Sequence, residues 1–292
     1  MRKEILENEH LLVEVDENGA ELTNLFSKTS NNNVLWSGDK KYWGRVAPVL
    51  FPIVGKLRND EIKIDGQKRN IHQHGFARDS KFEIVEKTND KLVYHLKQNP
   101  ELKNIYPYEF QLIISYIIKN NSLIVGWNVK NNDIKAMYFS IGGHPAFSVP
   151  HNCKEELNSY RLVLKGNDKI YEYIMNPPFI KGRKYIDNPN ELTIDSSLFT
   201  NDAIIYSGLE MISLYNINGG NRISVEFQGF PYVGIWSKSS ASKDSMAPFV
   251  CIEPWYGIAD FENGADLIEK KAGIQKLSAS QEFFTSYKII IE

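Results

Sequence analysis

Alternation of apolar and polar residues with period two dominates the chain. In the stretch FQLIISYIIKNNSLIVGWNV, Phe110, Leu112, Ile114, Tyr116 and Ile118 share one parity. Asn120-Asn121 interrupts, and Leu123, Val125, Trp127 and Val129 resume the alternation. Side chains of an extended strand point alternately to its two sides, so the pattern predicts two strands, each with one buried face, joined by a tight turn. HLLVEVDENGAELTNLFS reads the same way about Glu17-Asn18-Gly19, and MISLYNINGGNRISVEF about Asn218-Gly219-Gly220-Asn221. YVGIWSK, PFVCIEPW and SYKIIIE add further β-branched and aromatic strands. No stretch keeps an i, i+3, i+4, i+7 apolar stripe for three turns; HNCKEELNSY has room for one helical turn or two. Many short strands with turn signals every ten or so residues predict an all-β sandwich or barrel-like architecture. The polar segment 237–247 reads as a loop between strands, and no repeat or linker divides residues 1–292, so a single domain is expected.

Composition narrows the partners. A net charge of −2, with lysines and acids interspersed, gives no polyanion-binding signature, so nucleic acid is not expected. Apolar residues make up 42% of the chain, yet nowhere do 18 run consecutively, so no membrane span is expected. MRKEILENEHLLVEV lacks the apolar segment of a secretory signal, and the two cysteines, Cys153 and Cys251, stand far apart with no metal-type spacing. A cytoplasmic protein with free thiols is the expectation.

Three stretches break the strand pattern and bring titratable groups together with Gly or Pro: FPIVGKLRND leading to IHQHGFAR, then SIGGHPAFSVP, then CIEPWYGIAD. His72 and His74 point the same way if their segment is extended; a metal ligand pair, a hydroxyl donor and a packed core histidine are all open readings. His144, after two glycines and before a proline, is either packing or chemistry. Glu253 ends the apolar run PFVCI beside Pro254-Trp255, where a carboxylate is costly unless it is paired or functional. Trp255, Tyr256, Phe147, Phe76 and Trp43 cluster near these stretches, and aromatic faces stack on sugar C–H faces as readily as they fill cores.

Taken in order, YWGRVAPVLFPIVGKLRND, HQHGFAR, GGHPAF, FTNDAIIYS and IEPWYGIAD resemble the aldose 1-epimerase (galactose mutarotase) family, in particular its short, lactose-operon-associated bacterial branch. The resemblance spans nearly the whole chain. It implies a large antiparallel β-supersandwich and interconversion of hexose anomers without metal, nucleotide or redox cofactor. Carried over motif by motif, it assigns Glu253 as the base on the anomeric hydroxyl and His144 as the acid on the ring oxygen. His74, Arg58 and Asp202 would bind the sugar, with Trp255 or Phe147 as an aromatic floor. This chain departs from the family pattern in having Gly143 and Pro145-Ala146 around the histidine, and Ala203 after the aspartate. A non-catalytic sugar-binding module is the alternative of another class, and an Asp202–Glu253 carboxylate pair would suit a glycoside hydrolase. Arg45, Arg58 and Arg78 are candidates for the phosphate of a hexose 6-phosphate.

Overall fold

The computed structural model describes residues 3–151, 155–187, 189–240 and 245–292; Cys153 lies outside them. The fold is all-β and antiparallel. Its main sheet runs Val49–Leu50, Ile141–Gly143, Phe249–Tyr256, Tyr232–Trp236, Ile204–Asn216, Ile223–Glu226, Glu282–Ile291, Ser122–Asn131, Phe110–Lys119, Lys91–Lys97 and Glu83–Lys87. An N-terminal sheet of Lys3–Glu7, Leu11–Asp16, Leu22–Ser27 and Asn32–Asn33 contributes to the same apolar core, which extends from Leu6 to Ile291.

The three hairpins fall where the alternation places them. Phe110–Lys119 pairs with Ser122–Asn131 from Phe110↔Asn131 to Lys119↔Ser122, with Asn120 in the left-handed conformation that asparagine tolerates in tight turns. Every residue of the apolar parity in both strands is buried. Leu11–Asp16 pairs with Leu22–Ser27, and Ile204–Asn216 with Ile223–Glu226.

Two local features differ from the sequence reading. Pro100–Ile105 is a short α-helix opened by the Asn99 side chain, which accepts from the Leu102 N–H, with proline where its missing N–H does no harm. The helical turn expected over 151–160 is a 3-10 turn at Leu157–Ser159, with residues 152–154 outside the described set. Segment 237–247 is a loop closed by a Ser239–Met246 bridge, with 241–244 likewise outside. Among the described residues no helix is long and apolar enough to cross a membrane.

Candidate active site

SIGGHPAFSVP folds as two three-residue strands, Ile141–Gly143 and Ala146–Ser148, both paired with Phe249–Tyr256. Pro145 has no N–H to give a ladder, but the register is unbroken, since Gly142 faces Trp255 and Ala146 faces Cys251. His144 therefore stands directly opposite Glu253. On the other side of Phe249–Tyr256, Tyr232, Gly234 and Trp236 oppose Trp255, Glu253 and Cys251. One face of three strands thus presents Gly142, His144 and Ala146, then Trp255, Glu253 and Cys251, then Tyr232, Gly234 and Trp236.

Small residues on this face make room for large ones. A Cβ at Gly142 would meet the Trp255 ring at 2.5 Å, and one at Gly234 would meet it at 2.3 Å. The indole is thereby held flat between two bare backbones. His144 is enclosed by aromatics: its ring centroid lies 4.7 Å from Trp43 and 5.6 Å from Trp236, with His74 edge-on at 5.6 Å.

Above this face opens a cavity of about 350 Å³, within the range of small-molecule sites. His74, His144, Asp202, Glu253 and Trp255 all line it, so five of the seven residues expected from the sequence come together. The other two require correction. Phe147 follows Ala146 and so has the opposite parity; it is fully buried in the core, paired with Val250 and bridged to Leu35. Arg58 turns away from the cavity toward residues 262–266, where its guanidinium donates to the Gly264 carbonyl and pairs with Asp266. The Arg58 backbone N–H donates to Asp260 at 2.9 Å, and neither residue lines the cavity.

The cationic groups that do line the cavity are Arg78 and Lys56. Arg78 donates to the Gln73 carbonyl at 2.8 Å, and Lys56 pairs with Asp60 at 2.5 Å. Arg45 stands behind them, donating to the Arg78 carbonyl and paired with Asp79. Lys56, Gln73 and Trp236 also line the cavity and were not singled out from the sequence; nothing in their local pattern marks them.

The IHQHGFAR segment is not extended, which separates its two histidines. His74 and Gly75 both adopt positive φ (69° and 72°), and the Gly75 N–H returns to the His72 carbonyl at 2.9 Å. Only glycine fits at 75: a Cβ there would meet the Phe51 carbonyl oxygen at 2.2 Å. The turn leaves His72 exposed and His74 buried, so the pair does not converge on a metal. His74 Nδ1 accepts the Gly55 N–H at 3.2 Å, which assigns the ring proton to Nε2, beside the Gln73 amide at 3.3 Å.

Burial governs the charges here. Desolvation, aided by the positive Arg78 and Arg45, lowers the His144 pKa to about 3. Desolvation, then the neighbouring His144, lowers that of His74 well below the ordinary value. Desolvation, then the Asp202 carboxylate, raises Glu253 well above the ordinary range, with the Trp255 indole opposing. Asp202, held at φ 73°, is itself raised, mainly by burial. His144 Nε2 and Glu253 Oε2 are 3.1 Å apart, yet Oε2 has no aligned hydrogen-bond partner among the described residues. Burial thus favours the neutral form of both members of the pair. An acid–base pair at the floor of a cavity with an aromatic wall is chemically able to exchange protons with two points of one ligand.

Comparison with known proteins covers the whole chain and its fold. The chain is 30% identical over 305 residues to the chromosomal protein LacX of Lactococcus lactis subsp. lactis, with 98% of each covered. The X-ray structure of a galactose mutarotase related enzyme from Lactobacillus acidophilus superposes with a TM-score of 0.95 at 30% identity, over 100% of this chain and 97% of that one. A galactose mutarotase-like protein from Lactobacillus casei gives 0.91 at 30% identity, with 100% of both covered. The family model for aldose 1-epimerase matches residues 4–262, and the chain belongs to that family.

Proposed function

We propose that the protein is an aldose 1-epimerase that interconverts the α and β anomers of a hexose, with His144 and Glu253 as its proton-transfer pair. The observation that carries this reading is their cross-strand opposition, 3.1 Å apart at the floor of a cavity of single-ligand size. The productive microstate, carboxylate with imidazolium, differs from the resting neutral pair only by transfer of the shared proton from Glu253 to His144. Sugar hydroxyls favour that form by supplying the hydrogen bonds that a buried carboxylate and a buried imidazolium otherwise lack.

The Glu253 carboxylate then takes the proton of the anomeric O1 hydroxyl while His144 delivers its proton to the ring oxygen O5. The C1–O5 bond breaks and C1=O1 forms. After rotation about C1–C2, His144 recovers the O5 proton as O5 attacks the other carbonyl face, and Glu253 returns a proton to O1. Each transfer supplies ~10²–10⁴-fold. His74, Asp202 and Arg78 hold hydroxyls, and Trp255 faces the ring. The chemistry needs only groups that this chain supplies.

A phosphorylated hexose is the second reading, favoured by Arg78 and Lys56 on the cavity wall. Polarimetry of freshly dissolved α-D-galactose, α-D-glucose and glucose 6-phosphate tests both. Faster approach to the same final rotation supports epimerisation, and preference for the phosphate supports the second reading. No acceleration with any of these sugars, together with their saturable binding, would replace the enzyme by a binding module.

A further inference from the structure

Cys251 has no part in the proton chemistry, yet its position is specific. It precedes Glu253 by two residues on the same strand, so both side chains leave the same face. The cross-strand partner of Cys251 is Ala146, too small to separate the thiol from His144. The thiol sulfur, an imidazole nitrogen of His144 and a carboxylate oxygen of Glu253 all lie within 4.8 Å of one another. All three residues are buried, Cys251 is a free thiol, and Glu253 Oε2 has no aligned partner among the described residues. Two of the three line the cavity, which gives an ion a way in.

We propose that His144, Cys251 and Glu253 form a site for a thiophilic divalent cation, Zn²⁺ above all, and that occupation blocks epimerisation. Three protein donors of N, S and O type, with a fourth position open to a cavity, is a ligand set that zinc accepts. Zinc bonds of about 2.0–2.3 Å at tetrahedral angles separate donors by roughly 3.3–3.6 Å. The His144–Glu253 spacing of 3.1 Å is close to that, and a thiol at the outer limit has about 1.3 Å to close, within reach of side-chain rotation. The thiolate selects zinc over magnesium or calcium, which prefer oxygen. A bound ion occupies the nitrogen and oxygen that exchange protons with O5 and O1, so metal and turnover exclude each other. The binding claim stands on the cluster alone; the inhibition claim rests on the proposed epimerase reading.

The test uses the full chain and its Cys251→Ala and Cys251→Ser variants, with ZnCl₂, MgCl₂ and, as a spectroscopic stand-in for zinc, CoCl₂. Cobalt bound to the wild type gives a thiolate-to-cobalt charge-transfer band that both variants lack. Cys153 is present in all three proteins, so the difference isolates Cys251. In polarimetry ZnCl₂ inhibits the wild type reversibly, chelation by EDTA restores the rate, and MgCl₂ at equal concentration has no effect. Both variants keep the basal rate within about threefold and need at least ~10-fold more zinc for half inhibition, because one of three ligands is gone. A band that persists without Cys251, or equal zinc sensitivity in wild type and variants, overturns the proposal. Loss of the band in the variants alongside a wild type with no epimerase activity upholds the metal site and refutes the epimerase reading instead.

Discussion

The hairpin Phe110–Asn131 and the site strands around Phe249–Tyr256 share one geometry and differ in chemistry. In the hairpin, every inward position except the terminal Asn131 is aliphatic or aromatic, and cross-strand pairs such as Ile114↔Trp127 and Tyr116↔Val125 close the face against the core. In the site, the same period-two face carries Gly142, His144, Cys251, Glu253 and Gly234. Glycine leaves space where the hairpin would fill it, and ionisable groups are buried where the hairpin has methyls. Burial stabilises the first region, whereas in the second it raises the energy of the charged forms of His144 and Glu253.

The comparison breaks most sharply under substitution. His144→Ala and Glu253→Gln each cost at least ~10²-fold in turnover by polarimetry, with the fold intact by circular dichroism. Ile114→Ala does the reverse, costing about 2–5 kcal/mol of unfolding free energy in urea while turnover per folded molecule is unchanged. If Ile114→Ala slowed turnover as much as Glu253→Gln does, the two regions would not be separable in the way described.

A smaller effect separates the two arginines. Arg78→Ala raises KM about 10-fold or more, the equivalent of losing a hydrogen bond from a charged group. Arg58→Ala leaves KM within about twofold, because that guanidinium is engaged outside the cavity. Steady-state kinetics on both variants would reveal an inverted order.

The gentlest effect is on stability against pH. Below the ordinary histidine value of 6.5 the unfolded chain takes up a proton that His144 refuses down to about 3, so stability falls as pH falls through that window. His74, also lowered, adds to the same slope. Above the ordinary glutamate value of 4.5 the unfolded carboxyl releases a proton that folded Glu253 keeps, so stability falls as pH rises until Glu253 ionises in the fold. Between 4.5 and 6.5 the His144 and Glu253 slopes oppose. Above that window the His144 slope is spent while the Glu253 slope continues, at up to about 1.4 kcal/mol per pH unit. Thermal melts from neutral to alkaline pH should show Glu253→Gln declining less than wild type; an equal decline would mean that Glu253 is already ionised in the fold.

The sequence displays the hairpins plainly, because a sheet with one face in the core writes its burial into parity. His144 and Glu253 were legible for the opposite reason: each is a titratable group where the pattern calls for an apolar residue. Parity also held the correction for Phe147, since it differs from His144 by an odd number of positions. The break at His144-Pro145 concealed that the register continues. Arg58 and Arg78 cannot be told apart by local pattern, because the turn at His74-Gly75 and the approach of residues 262–266 decide which one reaches the cavity. Lys56, Gln73 and Trp236 arrive from separate segments, so only tertiary packing assembles them. The helix at Pro100 was legible in principle from Asn99-Pro100, a start signal too short to show a stripe.

The most direct test of the paired role of His144 and Glu253 is a double-mutant cycle in polarimetry, comparing His144→Ala, Glu253→Gln and the two combined, on the sugar that the wild type turns over fastest. Groups that act as a unit predict a double variant no more than a few-fold slower than either single one. Fully multiplicative losses, or a single variant that retains the wild-type rate with its fold intact, would contradict the account.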